Sequence, residues 1–143
     1  MMNMTLPSPQ AFEKKSATYP VTVLLIDDSQ DNLMILGDIL EGEGYQIVCA
    51  EDGESGLEQA KRVQPDLIFM DVKMPGLNGF QVCERLRAHD DFQHTPIILM
   101  SAQSDRTNRE LALGAGGSAF WPKPISPTKI LNELPGILRK GSE

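Results

Sequence analysis

The stretch Asp66-Leu67-Ile68-Phe69-Met70-Asp71-Val72-Lys73-Met74-Pro75-Gly76-Leu77-Asn78-Gly79 decides how the rest of the chain is read. Asp66–Met70 is strand-length and apolar in its interior, a carboxylate follows at Asp71, and Pro75-Gly76 marks a turn. A run without polar alternation is what a strand covered on both faces requires. Upstream, Val21–Ile26 has the same character and ends in Asp27-Asp28. Downstream, Ile97–Met100 leads to Ser101, and Ala119–Trp121 leads through Pro122 to Lys123-Pro124.

Helical spacing fills the intervals. Leu33, Leu36, Ile39 and Leu40 recur at the period of a helix that ends near Gly42 and Gly44. Gln46–Ala50 reads as a second strand, followed by a short helix with Leu57, Ala60 and Lys61. Phe80, Val82, Cys83 and Leu86 lie on the helix after the Pro75-Gly76 turn, and a more polar helix runs from Arg106 to about Leu113. Ser126 is placed to cap a last helix with Ile130, Leu131 and Leu134 facing inward, which Pro135 should kink or shorten. Five strands alternating with five helices predict a doubly wound α/β fold: a parallel sheet with helices on both faces. Such sheets carry their chemistry at the carboxyl ends of the strands, beside the switch in strand order.

Asp27, Asp28, Asp71, Ser101 and Lys123 all fall at that edge, delivered by four different strands. An Asp after a strand is usually a turn former and a Lys usually a solvated charge; their coincidence at one edge is hard to explain that way. Clustered carboxylates repel and raise one another's pKa. A hard divalent cation relieves this, and an oxygen-rich site with one or two carboxylates suits Mg²⁺. Metal, lysine and hydroxyl together can hold the oxygens of a transferring phosphoryl group, with a carboxylate as the nucleophile.

These motifs, Leu24-Leu25-Ile26-Asp27-Asp28, Met70 to Gly79, Met100-Ser101-Ala102 and Lys123-Pro124, resemble the receiver domain of two-component response regulators, of the chemotaxis-regulator type. The resemblance spans residues 21–139 and implies a flavodoxin-like (βα)5 fold with strand order 2-1-3-4-5. It implies Asp71 as phosphoacceptor. Mg²⁺ would be bound by Asp28, Asp71 and the Lys73 backbone carbonyl, and by Asp27 through water. Lys123 would ion-pair with Asp71 and then with the phosphate, which Ser101, with Ala102 beside it, would also hold. Phe120 would be the switch aromatic, a static core residue being the alternative, and Pro124 would follow a cis peptide bond. The implied partners are a sensor histidine kinase or phosphotransfer protein and a downstream protein or effector domain. The face of the fourth helix, fifth strand and fifth helix would bind the latter, with homodimerisation a further option. Catalysis would be limited to the protein's own phosphorylation and dephosphorylation. An aspartyl-nucleophile phosphohydrolase of the haloacid-dehalogenase type wants Asp-x-Asp, where this chain has Asp71-Val72-Lys73. A receiver-like module that works without phosphorylation would not need the full set of polar residues.

Composition sets the outer bounds. The chain of 143 residues is long enough for one well-buried core and carries a net charge of −7. Broad nucleic-acid or anionic-membrane binding needs clustered Lys and Arg, so neither is expected. No apolar run reaches membrane-spanning length and no signal peptide is evident at the N-terminus, which makes cytoplasmic location the expectation. Cys49 and Cys83 sit in apolar stretches and are expected as small buried side chains. Residues 1–20, with three prolines, read as a leader and residues 140–143 as a tail. His89 and His94 read as members of a solvated loop, Lys73 points to solvent, and Gln103 lies beside the site. Trp121 is open between an exposed anchor and partial burial. The chain is either a single-domain regulator or the receiver of a longer protein.

Overall fold

A computed structural model describes residues 20–103 and 105–142. Strands β1 (Thr22–Ile26), β2 (Gln46–Ala50), β3 (Leu67–Asp71), β4 (Ile97–Ser101) and β5 (Ala119–Pro122) form one sheet. The helices are α1 (Gln30–Gly42), α2 (Gly53–Val63), α3 (Gly79–Arg87), α4 (Arg106–Gly114) and α5 (Pro127–Ser142), with a 3₁₀ turn at Asp90–Phe92. Strand order is β2-β1-β3-β4-β5 and every pairing is parallel. The expected doubly wound fold is present, and its order reverses between β1 and β3.

Alternation along each strand separates two cores. Leu24, Ile26, Ile68, Met70 and Leu99 pack with Ala60, Val82, Leu86 and Ala112, the faces of α2, α3 and α4. Val23, Leu25, Leu67, Phe69 and Ile98 pack with Leu33, Leu36 and Leu40 of α1 and Ile130 and Leu134 of α5. Since β3 and β4 are buried on both faces, their sequences show no polar alternation. Asp52, Asn78 and Asp105 cap α2, α3 and α4 by accepting a backbone amide three residues on.

The Asn78-Gly79 pair explains the turn after β3. Asn78 and Gln81 form a reciprocal capping box that starts α3. Gly79 then brings the helix start against β3: a Cβ there would lie 2.4 Å from the Asp71 carbonyl oxygen and 2.9 Å from Val72 Cα. At the opposite end of α3, Arg87 donates to the Phe92, Thr95 and Gly116 carbonyls at 2.6, 2.7 and 2.9 Å. This guanidinium ties the α3–β4 and α4–β5 connections together with backbone acceptors instead of a carboxylate.

Several expectations are corrected. Cys83 is buried but Cys49 is exposed, because β2 is an edge strand that its neighbours cover incompletely. Pro135 does not end α5, which continues to Ser142 beyond residue 139. Pro135 occupies the exposed side, while Leu134 before it and Ile137 and Leu138 after it hold the helix to the sheet. Leu131, expected to face inward, is 51% exposed; the buried series Ile130, Leu134, Ile137 takes the helical period instead. Trp121 is 2% exposed, its ring edge-on to Phe69 at 5.6 Å, so it is a core residue and no surface anchor. Phe92, in the segment read as a solvated loop, is also core. His89, His94 and Lys73 are exposed as expected. Residues 1–19 and 143, within the expected leader and tail, lie outside the described residues. No helix among the described residues is long and apolar enough to cross a membrane.

Gly79→Ala forces backbone against backbone and should cost about 1–3 kcal/mol of unfolding free energy in urea titrations. Gly42→Ala has nothing within 4 Å of the new methyl and no positive φ. It should be neutral or gain up to about 1 kcal/mol in the same assay.

Candidate functional site

Backbone hydrogen bonds carry the ladder just past the strand ends and thereby set the site. Asp27 N donates to Ala50 O (3.1 Å), Val72 N to Met100 O (2.9 Å) and Lys123 N to Ser101 O (3.0 Å). The residues at or just past the ends of β1, β3, β4 and β5 are therefore held at the carboxyl edge, next to the β1/β3 switch point. Asp27, Asp71 and Ser101 are the buried polar residues there, at 2%, 5% and 6% exposure.

Lys123 joins the two buried carboxylates. Its Nζ lies 3.1 Å from Asp27 Oδ2 and 3.2 Å from Asp71 Oδ1. The Asp71 pair is the expected one; the Asp27 pair was not anticipated. Asp27 is further satisfied by the Ser29 amide at 2.9 Å on Oδ1 and by Asn32 Nδ2 at 3.3 Å on Oδ2. Ser29 and Asn32 were missed in the sequence, where the signal available was their place in the first turn of the helix after Asp28. Asp28 is exposed and makes no hydrogen bond or ion pair among the described residues. Asp71 Oδ2 likewise has no protein partner, and since no buried side-chain oxygen is orphaned, it faces solvent.

Carboxylate oxygens of Asp27, Asp28 and Asp71 all lie within 4.8 Å of one another, a set that could hold a metal ion. The donors are all hard oxygens and two of the three carboxylates have open lone pairs, which fits Mg²⁺. Burial, then the Asp27 charge, push the Asp71 carboxyl up to about 6; Lys123 pulls it down and Asp28 adds a smaller upward push. Burial lowers the Lys123 ammonium, but hydrogen bonds and charges from Asp27 and Asp71 outweigh it and hold its pKa above the ordinary lysine value. Burial thus dominates at Asp71, whereas at Lys123 the two opposite charges prevail over it.

Ser101 Oγ accepts the Gln103 amide at 3.0 Å, and Ala102 and Gln103 are exposed beside it. The Lys123–Pro124 peptide is cis. Phe120 is buried at 6% exposure, with the Arg109 guanidinium 5.4 Å from its ring centre. It sits in the core cluster of the α2–α4 face.

Residues 23–135 match the family model described as the response regulator receiver domain. Response regulator PleD of Caulobacter vibrioides is 35% identical over 82% of this chain, which spans only 26% of that protein. Polar-differentiation response regulator DivK of Brucella anthropi is 29% identical over 83% of this chain and 97% of its own length. The crystal structure of chemotaxis response regulator CheY4 of Vibrio cholerae aligns with a TM-score of 0.78 at 26% identity, over 82% of this chain and 98% of that one.

The electrostatics predict an unusual pH signature. Because Asp71 titrates higher in the fold (about 6) than its ordinary value of 3.8, the native state binds the extra proton. Its contribution to stability is full below the lower value and is lost as pH rises through the upper one. In metal-free buffer at about pH 8, Asp71→Asn should raise the unfolding free energy by roughly 1–3 kcal/mol. The gain should shrink toward zero as pH falls to about 4, followed by denaturant titration at each pH.

Proposed function

The chain belongs to the response regulator receiver domain family, and from that premise we propose that it is a phosphorylation-driven signalling switch with Asp71 as phosphoacceptor. The observation that carries this reading is the division of labour among the three carboxylates. Asp27 is saturated by Lys123, Ser29 and Asn32, whereas Asp28 and Asp71 Oδ2 stay open to solvent. An anchored carboxylate, an open nucleophile and an open metal ligand are what aspartyl phosphorylation needs.

In the proposed step, Asp71 Oδ2 attacks the phosphorus of a phosphohistidine. The O–P bond forms as the N–P bond breaks, and the departing imidazole keeps the electron pair and takes a proton from solvent. Mg²⁺, bound by Asp28, Asp71 and the Lys73 carbonyl, would neutralise charge on the phosphoryl oxygens. Lys123 already touches Asp71 and can follow the new phosphate, so the added charge meets a fixed cation. Ser101 can offer its hydroxyl proton to another phosphoryl oxygen while still accepting from Gln103. Attack by water on phosphorus reverses the modification, releasing inorganic phosphate and restoring the carboxylate.

The output surface is proposed to be the face of α4, β5 and α5. Leu111 and Leu113 on α4 and Leu131 on α5 are at least half exposed there, at 50%, 58% and 51%. Such side chains can seat a downstream protein, an effector domain or a second copy. The donor would be a sensor histidine kinase or phosphotransfer protein, and the setting cytoplasmic. PleD and DivK differ in how much of their length the chain matches.

Incubation with a small acyl-phosphate donor and Mg²⁺ should add one phosphoryl group, read by intact mass, and EDTA should suppress it. Asp71→Asn should abolish labelling. Full labelling of that variant would overturn the assignment of Asp71.

A further inference from the structure

Helix α1 turns an apolar pair to solvent. Leu33, Leu36 and Leu40 hold its inner side to the sheet, while Met34 and Ile35 stand on the outer side at 63% and 60% exposure. Single exposed apolar side chains are ordinary. These two are adjacent and share a stripe with Asp31, Asp38 and Glu41, because residues three, four and seven apart line one side of a helix. The three acids are exposed and form no ion pair among the described residues.

Their surroundings in the chain hold no compensating charge. From Val21 to Ala60 there are ten Asp and Glu and no Lys or Arg, whereas residues 61–142 carry eleven Lys and Arg against eight Asp and Glu. The sector built from β1, α1, β2 and α2 thus carries more than the whole net charge of −7. An occupant of the stripe that combines an apolar side chain with nearby cations would complement both its features.

The leader has that order. Phe12-Glu13-Lys14-Lys15 contains the only cations before Lys61, two residues after an aromatic ring. The described chain begins at Pro20 and enters β1 beside the C-terminal end of α1: Gln46 N donates to Val21 O at 2.8 Å, and Tyr45 N to Leu40 O at 3.1 Å. An extended chain spans ~26 Å from Pro20 back to Phe12. That covers the ~12 Å along the axis from Gly42 back to Met34 as well as the ~10–12 Å width of the helix.

We propose that Phe12–Lys15 folds back onto α1, parallel to it, as an intramolecular cover. Phe12 would lie over Met34 and Ile35, with Lys14 at Asp38 and Lys15 reaching Glu41 on its flexible stem. Glu13 falls on the opposite side of an extended segment from Phe12 and Lys14, away from the acids. Tethering raises the effective concentration to the millimolar range, so a contact of this size forms without a partner molecule and without phosphorylation of Asp71.

The protein's own cysteine provides the probe. Exposed Cys49 pairs in register with Leu25 and so points to the α1 side of the sheet, whereas Cys83 is buried. A nitroxide on Cys49 of the isotope-labelled full chain should broaden the amide NMR signals of Phe12 to Lys15. Raising NaCl from 0.1 to 1 M shortens the screening length from about 10 to about 3 Å and should reduce that broadening roughly twofold or more. Lys14→Glu with Lys15→Glu should reduce it about threefold or more and shift the α1 amides. Adding Asp38→Lys and Glu41→Lys to that variant should restore it. Equal broadening before and after charge reversal, or no recovery in the fourfold charge swap, would overturn the proposal. So would broadening passed from a nitroxide-bearing unlabelled chain to a labelled one, which would make the occupant a second copy.

Discussion

The Lys123 ammonium, lodged between Asp27 and Asp71, is the interaction on which the rest of the site depends. Three carboxylates with oxygens within 4.8 Å would drive their own strand ends apart or take up protons. Lys123 offsets part of that repulsion at 3.1 and 3.2 Å. It can do so only because β5, at the far side of β4, delivers it there through the Lys123 N to Ser101 O bond. Burial first, and then the Asp27 charge, still hold the Asp71 carboxyl up at about 6.

Backbone, more than side chains, holds the carboxylates at this distance. Gly79 lets the start of α3 press on the Asp71 carbonyl, and its amide donates to Val72 O at 2.8 Å. At the start of α1 the Ser29 amide donates instead to the Asp27 side chain, on Oδ1. The helices after β1 and β3 thus begin by bonding back to the end of the preceding strand. Asp71 can be both buried on its flank and open at Oδ2, since its position is set by main chain and one oxygen is left unused.

The aromatic pair on β5 shows how adjacent residues part company in a sheet. Phe120 faces the α2–α4 core and Trp121 the α1/α5 core. Each has a cation at its ring, Arg109 at 5.4 Å from Phe120 and Lys129 at 5.0 Å from Trp121. Both cations sit on helices of the proposed output face. A shift of α4 or α5 would therefore change an aromatic contact within the sheet, which supplies a route between that face and the core.

Fold class, strand positions and the set of polar residues at the strand ends were legible in the sequence because each is a local property. Wholly apolar runs mark doubly covered strands, and polar residues directly after them fall at one edge of any parallel sheet. The Ser126 cap was local too. What depends on neighbours distant in the chain could be decided only by tertiary structure. Cys49 sits in as apolar a run as Cys83, yet β2 lies at the sheet edge and leaves it exposed. Trp121 became core once α5 packed over it. Pro135 was tolerated because packing on either side outweighs one lost amide bond. Lys123 found Asp27 as well as Asp71, and Asp27 rather than Asp28 became the anchored carboxylate, since only the assembled strand ends determine which oxygen meets which donor. The residue types were written along the chain; their division into one anchored carboxylate and two with open oxygens arose from three-dimensional proximity, on which hydrogen bonding and Coulomb energy both depend.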